Sequence, residues 1–370
     1  MNLDDAALVR ADETGKVLGS IEEFGAQCVS GAASARDADL FDAMRGPSQI
    51  VVAGMGGSAL SADIIRALLA PALRVPLIVQ RDYAIPSWVG PKTLVIASSY
   101  SGGTEETLAA ASAALERTGL VVAMTTGGPL AEALAARGRP VVRIDPAANP
   151  SGQPRFAIGA MLFALLGILE RAGVAESFFA EHGSAVDAAA AGADFAAAAH
   201  ARYGIDRPRA ANPAKELAHF LEGRACVVVA SRHLSGNAHA LANQLNETAK
   251  SFAAPFEIPE LNHHLMEGLQ LPDANRAALG FLFIESTLYG ARLGARYAVT
   301  REVVARQGVP EKSFLPDGGS PLFESLDTLI FGSYLAFYLA LRNKQDPAKI
   351  PWVDLFKARL AASDGETRTR

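Results

Sequence analysis

Cysteine is nearly absent from this 370-residue chain: Cys28 and Cys226 are the only two, far apart and each in an apolar context. That excludes a disulfide framework and a cysteine-built metal site, and it predicts a reducing, cytoplasmic compartment. Blocks of like charge are absent too, and the formal net charge is only −5. The electrostatic footprint of a nucleic-acid binder or of a protein attached to an anionic membrane is missing, so neither partner is expected. Long hydrophobic runs are also lacking. The longest, 157–169 and 328–341, fall short of the roughly 18–20 residues that a membrane span needs. Both are expected to be buried helices. The first residues, Met1-Asn-Leu-Asp-Asp5, are acidic and lack the basic-then-apolar order of a signal peptide.

What the chain does contain is apolar residues, half of the total, enough for a sizeable core and for two domains of ordinary size. From Gln49 onward, short apolar runs alternate with segments of helical spacing. Strands are expected at 49–53, 77–79, 93–97, 120–124 and 141–144, with helices over 61–69 and 104–117 among the connections. Strands that are apolar throughout and separated by helices predict a parallel sheet covered on both faces. A strongly apolar helix is expected after Pro154, then a mostly alanine helix over 187–200. Gly204, Pro208 and Pro213 mark 202–213 as a boundary. The order then recurs: strand 225–230, loop 231–236, helix through Lys250, strand 279–284, helix 287–307, a break at Asp317-Gly-Gly319 and a last apolar helix. The expectation is an α/β chain of two similar domains, 1–150 with an N-terminal helical segment and 213–370 with C-terminal helices, joined by a helical connection over 151–212. The polar tail 364–370 is expected to fray.

The stretch Ser98-Ser-Tyr-Ser-Gly-Gly-Thr-Glu-Glu-Thr107 follows an apolar strand and opens a helix. Such an order builds an anion site. Glycines let the backbone approach a ligand, and the first N–H groups of the helix have no intrahelical partner. Hydroxyls on Ser99, Ser101 and Thr104 add donors suited to phosphate. The loop has no lysine, so it is not the nucleotide P-loop, and a phosphate on a small organic body fits better than ATP. The plainer alternative is that Thr104 caps the helix and the serines merely make a turn. A second loop, Gly54-Met-Gly-Gly-Ser-Ala59, ends the first strand. Gly56, Gly57 and Ser58 would lie beside the first loop at the carboxyl edge of the sheet, where open α/β sheets bind ligands. The register of a dinucleotide fingerprint is absent.

This pair of loops resembles the SIS (sugar isomerase) domain, a family of phosphosugar-binding α/β domains. Gly152-Gln-Pro-Arg155, Gln244-Leu-Asn-Glu-Thr-Ala-Lys250, Pro259-Glu-Leu-Asn-His263 and Val353-Asp-Leu-Phe-Lys357 narrow the resemblance to the bifunctional phosphoglucose/phosphomannose isomerase family, over about 21–360. The resemblance implies two SIS-type domains and aldose–ketose isomerisation of glucose 6-phosphate, and of mannose 6-phosphate, through a cis-enediol. By the same resemblance Glu247 is the base, His263 opens the sugar ring, Arg155 stabilises enediolate charge and Lys357 reaches the ring oxygen. Gly56, Gly57, Ser58, Ser99, Ser101 and Thr104 would hold the phosphate.

The resemblance further implies a homodimer in which the histidine comes from the neighbouring subunit, and no metal or organic cofactor. Read from the residues alone, Glu247 is better explained as a solvated helix glutamate pairing with Lys250 at i+3, since most helix carboxylates are surface charges. His264, adjacent to His263, competes for the ring-opening role, and a two-histidine metal site there lacks further ligands at suitable spacing. The family's threonine after Asp-Pro is missing: Asp346-Pro347 is followed by Ala348. The competing readings are a non-catalytic phosphosugar sensor and an isomerase of another phosphosugar. A glutamine-dependent amidotransferase is disfavoured, because no N-terminal cysteine is present.

Overall fold

The computed structural model describes residues 1–12 and 16–367. Three helices open the chain, α1 (Ala6–Asp12), α2 (Val17–Glu22) and α3 (Phe24–Asp37). A five-stranded sheet follows, β1 (Gln49–Gly54), β2 (Leu77–Gln80), β3 (Thr93–Ser98), β4 (Val121–Thr125) and β5 (Val141–Arg143), in the order β2-β1-β3-β4-β5. Every pairing is parallel. Helices α4 (Gly57–Leu68), α5 (Glu105–Leu115) and α6 (Gly128–Ala135) lie between its strands. Then come α7 (Ile158–Ala172), α8 (Glu176–His182), α9 (Ala185–Tyr203) and α10 (Pro213–Leu221). The second sheet, β6 (Ala225–Ala230), β7 (Ala253–Glu257), β8 (Leu279–Ile284) and β9 (Glu311–Phe314), runs β7-β6-β8-β9, again all parallel. It carries α11 (Ser235–Glu247), α12 (Asn275–Ala278) and α13 (Ala291–Arg306), and the chain closes with α14 (Pro321–Arg342) and α15 (Pro351–Thr367).

Alternation along the strands explains the layering. Val51, Ala53, Val95, Ala97, Val121 and Ala123 pack on Ala110, Ala114, Leu130 and Leu134 of α5 and α6. Their neighbours Ile50, Val52, Leu94, Ile96, Val122 and Met124 face the opposite way, into one core shared with Val228, Ala230, Leu282 and Ile284 of the second sheet. Helices α3, α4, α7, α9, α11 and α14 fill the space between the sheets, and α13 covers the outer face of the second. Both faces of each sheet are therefore buried, which requires the uninterrupted apolar strands seen in the sequence. The run at 157–169 lies in α7 and the run at 328–341 in α14, each almost wholly buried. Among the described residues, no single helix is long and apolar enough to cross a membrane.

The α/β architecture of two parallel sheets is as expected, with differences at the edges. Strands β7 and β9 were not anticipated. They border the second sheet, only two of their nine residues are buried, and β7 contains Pro255; such edge strands carry no apolar run. At the tail, α15 is helical as far as Thr367, past the point where fraying was expected to begin, and 368–370 lie outside the described residues.

Candidate functional site

Each sheet reverses its strand order once, between β1 and β3 and between β6 and β8. At the carboxyl ends of β1 and β3 the two loops meet. Gly56 has φ +47° and ends the loop after β1, and Gly57 opens α4. A Cβ on Gly57 would lie 2.8 Å from the backbone nitrogen of Arg155, so only glycine lets the Arg155 turn come this close. The two loops are stitched together. Ser98 Oγ donates to the Ser58 carbonyl at 2.7 Å, and the Tyr100 N–H donates to Ser58 Oγ at 2.9 Å, leaving the Ser58 proton available to a ligand.

Thr104 is the N-cap residue of α5, yet its side chain makes no capping hydrogen bond. It pairs instead with Ser99 Oγ at 2.8 Å. The plain capping alternative is therefore not what the loop does, and no side chain of the cap residue uses the first N–H groups of α5. Gly102, at φ +70°, packs against the Gly127 carbonyl, where a Cβ would sit 1.8 Å from oxygen. The hydroxyl loop is thus backed by a third one.

The facing wall comes from the second half of the chain. Arg155 sits in a 3-10 turn (Pro154–Phe156) just before α7 and is 1% exposed. Its guanidinium donates to Thr248 Oγ1 (3.0 Å), Gln153 Oε1 (2.8 Å), Glu247 Oε2 (3.3 Å) and the carbonyls of Pro347 (2.8 Å) and Ala348 (2.9 Å). Burial lowers its pKa from the ordinary arginine value, and the Glu247 charge opposes that shift. Glu247, the last residue of α11, also accepts from Asn243 Nδ2 at 3.0 Å, and its side chain is 26% exposed. The surface pair with Lys250 is not formed. Lys250 Nζ donates instead to the carbonyls of Thr248 and Asp346.

Between these walls lies a cavity of about 530 Å³ lined by Gly56, Gly57, Ser58, Ser101, Thr104, Arg155, Glu247 and Lys357, with Ile350, Val353, Phe356 and Leu360 supplying an apolar side. Hydroxyls and free helix N–H groups on one side thus face a carboxylate–guanidinium pair on the other. Glu105 and Glu106 also line it, so an anion held here must be bound closely enough by donors to offset them. Ser99 lies behind the lining, fully buried. His263 is elsewhere, exposed at the end of a 3-10 turn (Glu260–His263). His264 lines a separate cavity with Asp63, Arg66 and His239. Neither histidine joins Glu247 within one chain. Among the described residues, no three His, Cys, Asp or Glu side chains cluster so as to hold a metal ion.

Sequence reasoning gave no contact role to Gln153, Thr248, Asn243 or the carbonyls of the 346–348 linker, although the Asp346-Pro347-Ala348 stretch stood out as a departure from the family pattern. Asn243 was within reach, since it lies four positions before Glu247 on the same helix. The linker was not, because its carbonyls meet Arg155 across nearly 200 residues of chain.

A site with this composition has relatives. Residues 43–165 match the SIS domain, and 210–360 match the bacterial phospho-glucose isomerase C-terminal SIS domain. The bifunctional phosphoglucose/phosphomannose isomerase of Caldicellulosiruptor bescii is 30% identical over 318 residues, covering 85% of this chain and 89% of that one. Its counterpart from Thermoplasma acidophilum is 29% identical, covering 85% and 90%. Among solved structures, a hypothetical protein from Thermus thermophilus superposes with a TM-score of 0.73 at 18% identity, covering 98% of this chain and 94% of its own. The C-terminal domain of glucosamine-fructose-6-phosphate aminotransferase from Francisella tularensis gives 0.64 at 12% identity, covering 89% and 97%, a likeness of fold. With both halves matched by SIS models and relatives aligned over most of their length, the chain belongs to the bifunctional phosphoglucose/phosphomannose isomerase family.

Proposed function

We propose that the protein is an aldose–ketose isomerase that interconverts glucose 6-phosphate, and mannose 6-phosphate, with fructose 6-phosphate. One observation carries the reading: a phosphate-suited loop pair and a carboxylate–guanidinium pair share one cavity. The phosphate rests on Ser58, Ser101, Thr104 and the free N–H groups of α5, with Gly56 and Gly57 admitting it and Ser99 orienting Thr104. Glu247 takes the C2 proton of the open-chain aldose and returns it to C1. The hydroxyl proton of O2 passes to O1, so atoms balance. Charge on the enediolate oxygen is met by Arg155, whose burial away from water strengthens the interaction. Lys357 reaches the sugar from α15. Ring opening is the task of His263 of the partner subunit, in a homodimer. The buried, unpaired thiols of Cys28 and Cys226 support a reducing, cytoplasmic setting. The same reading divides the chain into two SIS-type domains, 1–150 and 213–370, linked by 151–212.

Coupled assays with glucose 6-phosphate and mannose 6-phosphate test this. Wild type should turn over both, and Glu247→Gln should lose about 10²–10⁴-fold in kcat while still binding substrate. Unchanged turnover in Glu247→Gln would sink the base assignment. Phosphosugar binding without turnover by wild type would make the protein a sensor.

A further inference from the structure

Helix α15 brings Lys357 to the cavity, with Val353, Phe356 and Leu360 along the same wall. Every side chain from Pro351 to Arg359 is exposed, including Trp352 at 79% and Phe356 at 64%. The linker from α14 leads directly into this helix, and that linker is held by two cations. The Asp346 carbonyl accepts from Lys250 Nζ, and the Pro347 and Ala348 carbonyls accept from Arg155 Nη2. Asp346 Oδ1 accepts from the Ala348 N–H (2.9 Å) and the Lys349 N–H (3.3 Å), which bends the linker into a tight turn. Three successive carbonyls therefore converge on Lys250 and Arg155.

The backbone supplies an independent argument. Lys250 has φ +51° at the end of α11, where the Ser251 N–H returns to the Leu245 carbonyl. Helices that end this way usually place glycine at the left-handed position, because a side chain there is strained. Here a lysine holds it, and its amine is aimed under the linker.

We propose that Lys250 is a positioning residue for the isomerisation: together with Arg155 it clamps the Asp346–Ala348 linker and so fixes where α15 presents Lys357. The role rests on the isomerase reading of the cavity. Partial burial and the adjacent Arg155 charge lower the Lys250 pKa to about 8, with Asp346 and Glu247 opposing the shift. These three groups are the charges that face it from the 3-10 turn, the linker and α11. The clamp is at full strength below pH 8 and weakens as pH rises through that value.

The decisive variant is Lys250→Gly, which removes the amine but suits the backbone. It should melt no lower than wild type, while amide hydrogen exchange over 346–360 accelerates and kcat/KM falls about tenfold. In a Lys357→Ala background the same change should cost less than about twofold, because what the clamp positions is already gone. Lys250→Arg should keep the slow exchange and move the alkaline loss of activity to higher pH. Unchanged exchange in Lys250→Gly overturns the clamp, as does a full tenfold loss in the Lys357→Ala background. If wild type turns over no hexose phosphate, the isomerase reading fails while the exchange result still decides the clamp.

Discussion

Arg155 uses all five guanidinium N–H groups on its own protein, and its contacts are not equal. Four lie between 2.8 and 3.0 Å, while the one to Glu247 is 3.3 Å. In the proposed isomerisation, the loosest contact is the one that an enediolate oxygen would replace without unpicking the others. Lysine in this seat would supply three donors from a single point and could not reproduce the planar fork. Arg155→Lys should therefore lower kcat by about 100-fold with a smaller change in KM, because the loss falls on charge that develops during reaction. It should also lower the melting temperature, since buried acceptors are left unpaired. Equal losses in substrate binding and turnover would instead make Arg155 a ground-state contact.

At the scale of elements, the site depends on how closely α4 and α11 cross. One opens at the glycine loop after β1 and the other ends in Glu247. They meet at Gly236, where a Cβ would lie 2.5 Å from the backbone of Asp63 and Ile64. Beside this contact His239 Nδ1 pairs with Asp63 Oδ2 at 2.8 Å, and Arg81 pairs with the same carboxylate. Gly236→Ala must push the helices apart. It should destabilise the protein by about 1–3 kcal/mol and reduce kcat/KM by moving Glu247 away from Ser58, as read by denaturant melts and the coupled assay. A normal kcat/KM at lowered stability would show that the crossing does not set the site. The two halves differ in what the sequence reveals about them. Strands β1, β3, β6 and β8 are buried on both faces and announce themselves as apolar runs, and the loops after β1 and β3 carry their chemistry in plain order. Edge strands β7 and β9, only partly buried, show no such pattern. Glu247 and Arg155 could be singled out only by resemblance, since a helix-end carboxylate and a lone arginine carry no local signature. Their pairing and the Lys250 clamp depend on contacts between residues about 90 to 190 positions apart, beyond the reach of any periodicity.

At the scale of the molecule, the proposed reaction needs a ring-opening group that the cavity of one chain does not supply. That cavity is lined by the Ser58, Ser101 and Thr104 hydroxyl loops, the Glu247 carboxylate, Arg155 and Lys357, but among the described residues no histidine lines it. His263 stands exposed on the second half of the chain. The exposed apolar side chains Phe252 (71%), Leu271 (72%), Trp352 and Phe356 are the kind of surface that a second copy covers. In a two-fold dimer each histidine serves the other chain's cavity, and the two cavities are equivalent. Mixing two inactive variants then separates the possibilities. Glu247→Gln and His263→Ala should each be nearly inactive alone. In a mixed dimer one cavity would carry both defects and the other neither. With random pairing half of the dimers are mixed, so activity should return to about a quarter of wild type after subunits exchange. A parallel mixture with His264→Ala decides which histidine acts: only the acting residue is both inactive alone and rescued by Glu247→Gln. If the histidine served its own chain, every mixed dimer would hold two damaged cavities, and mixing would restore nothing.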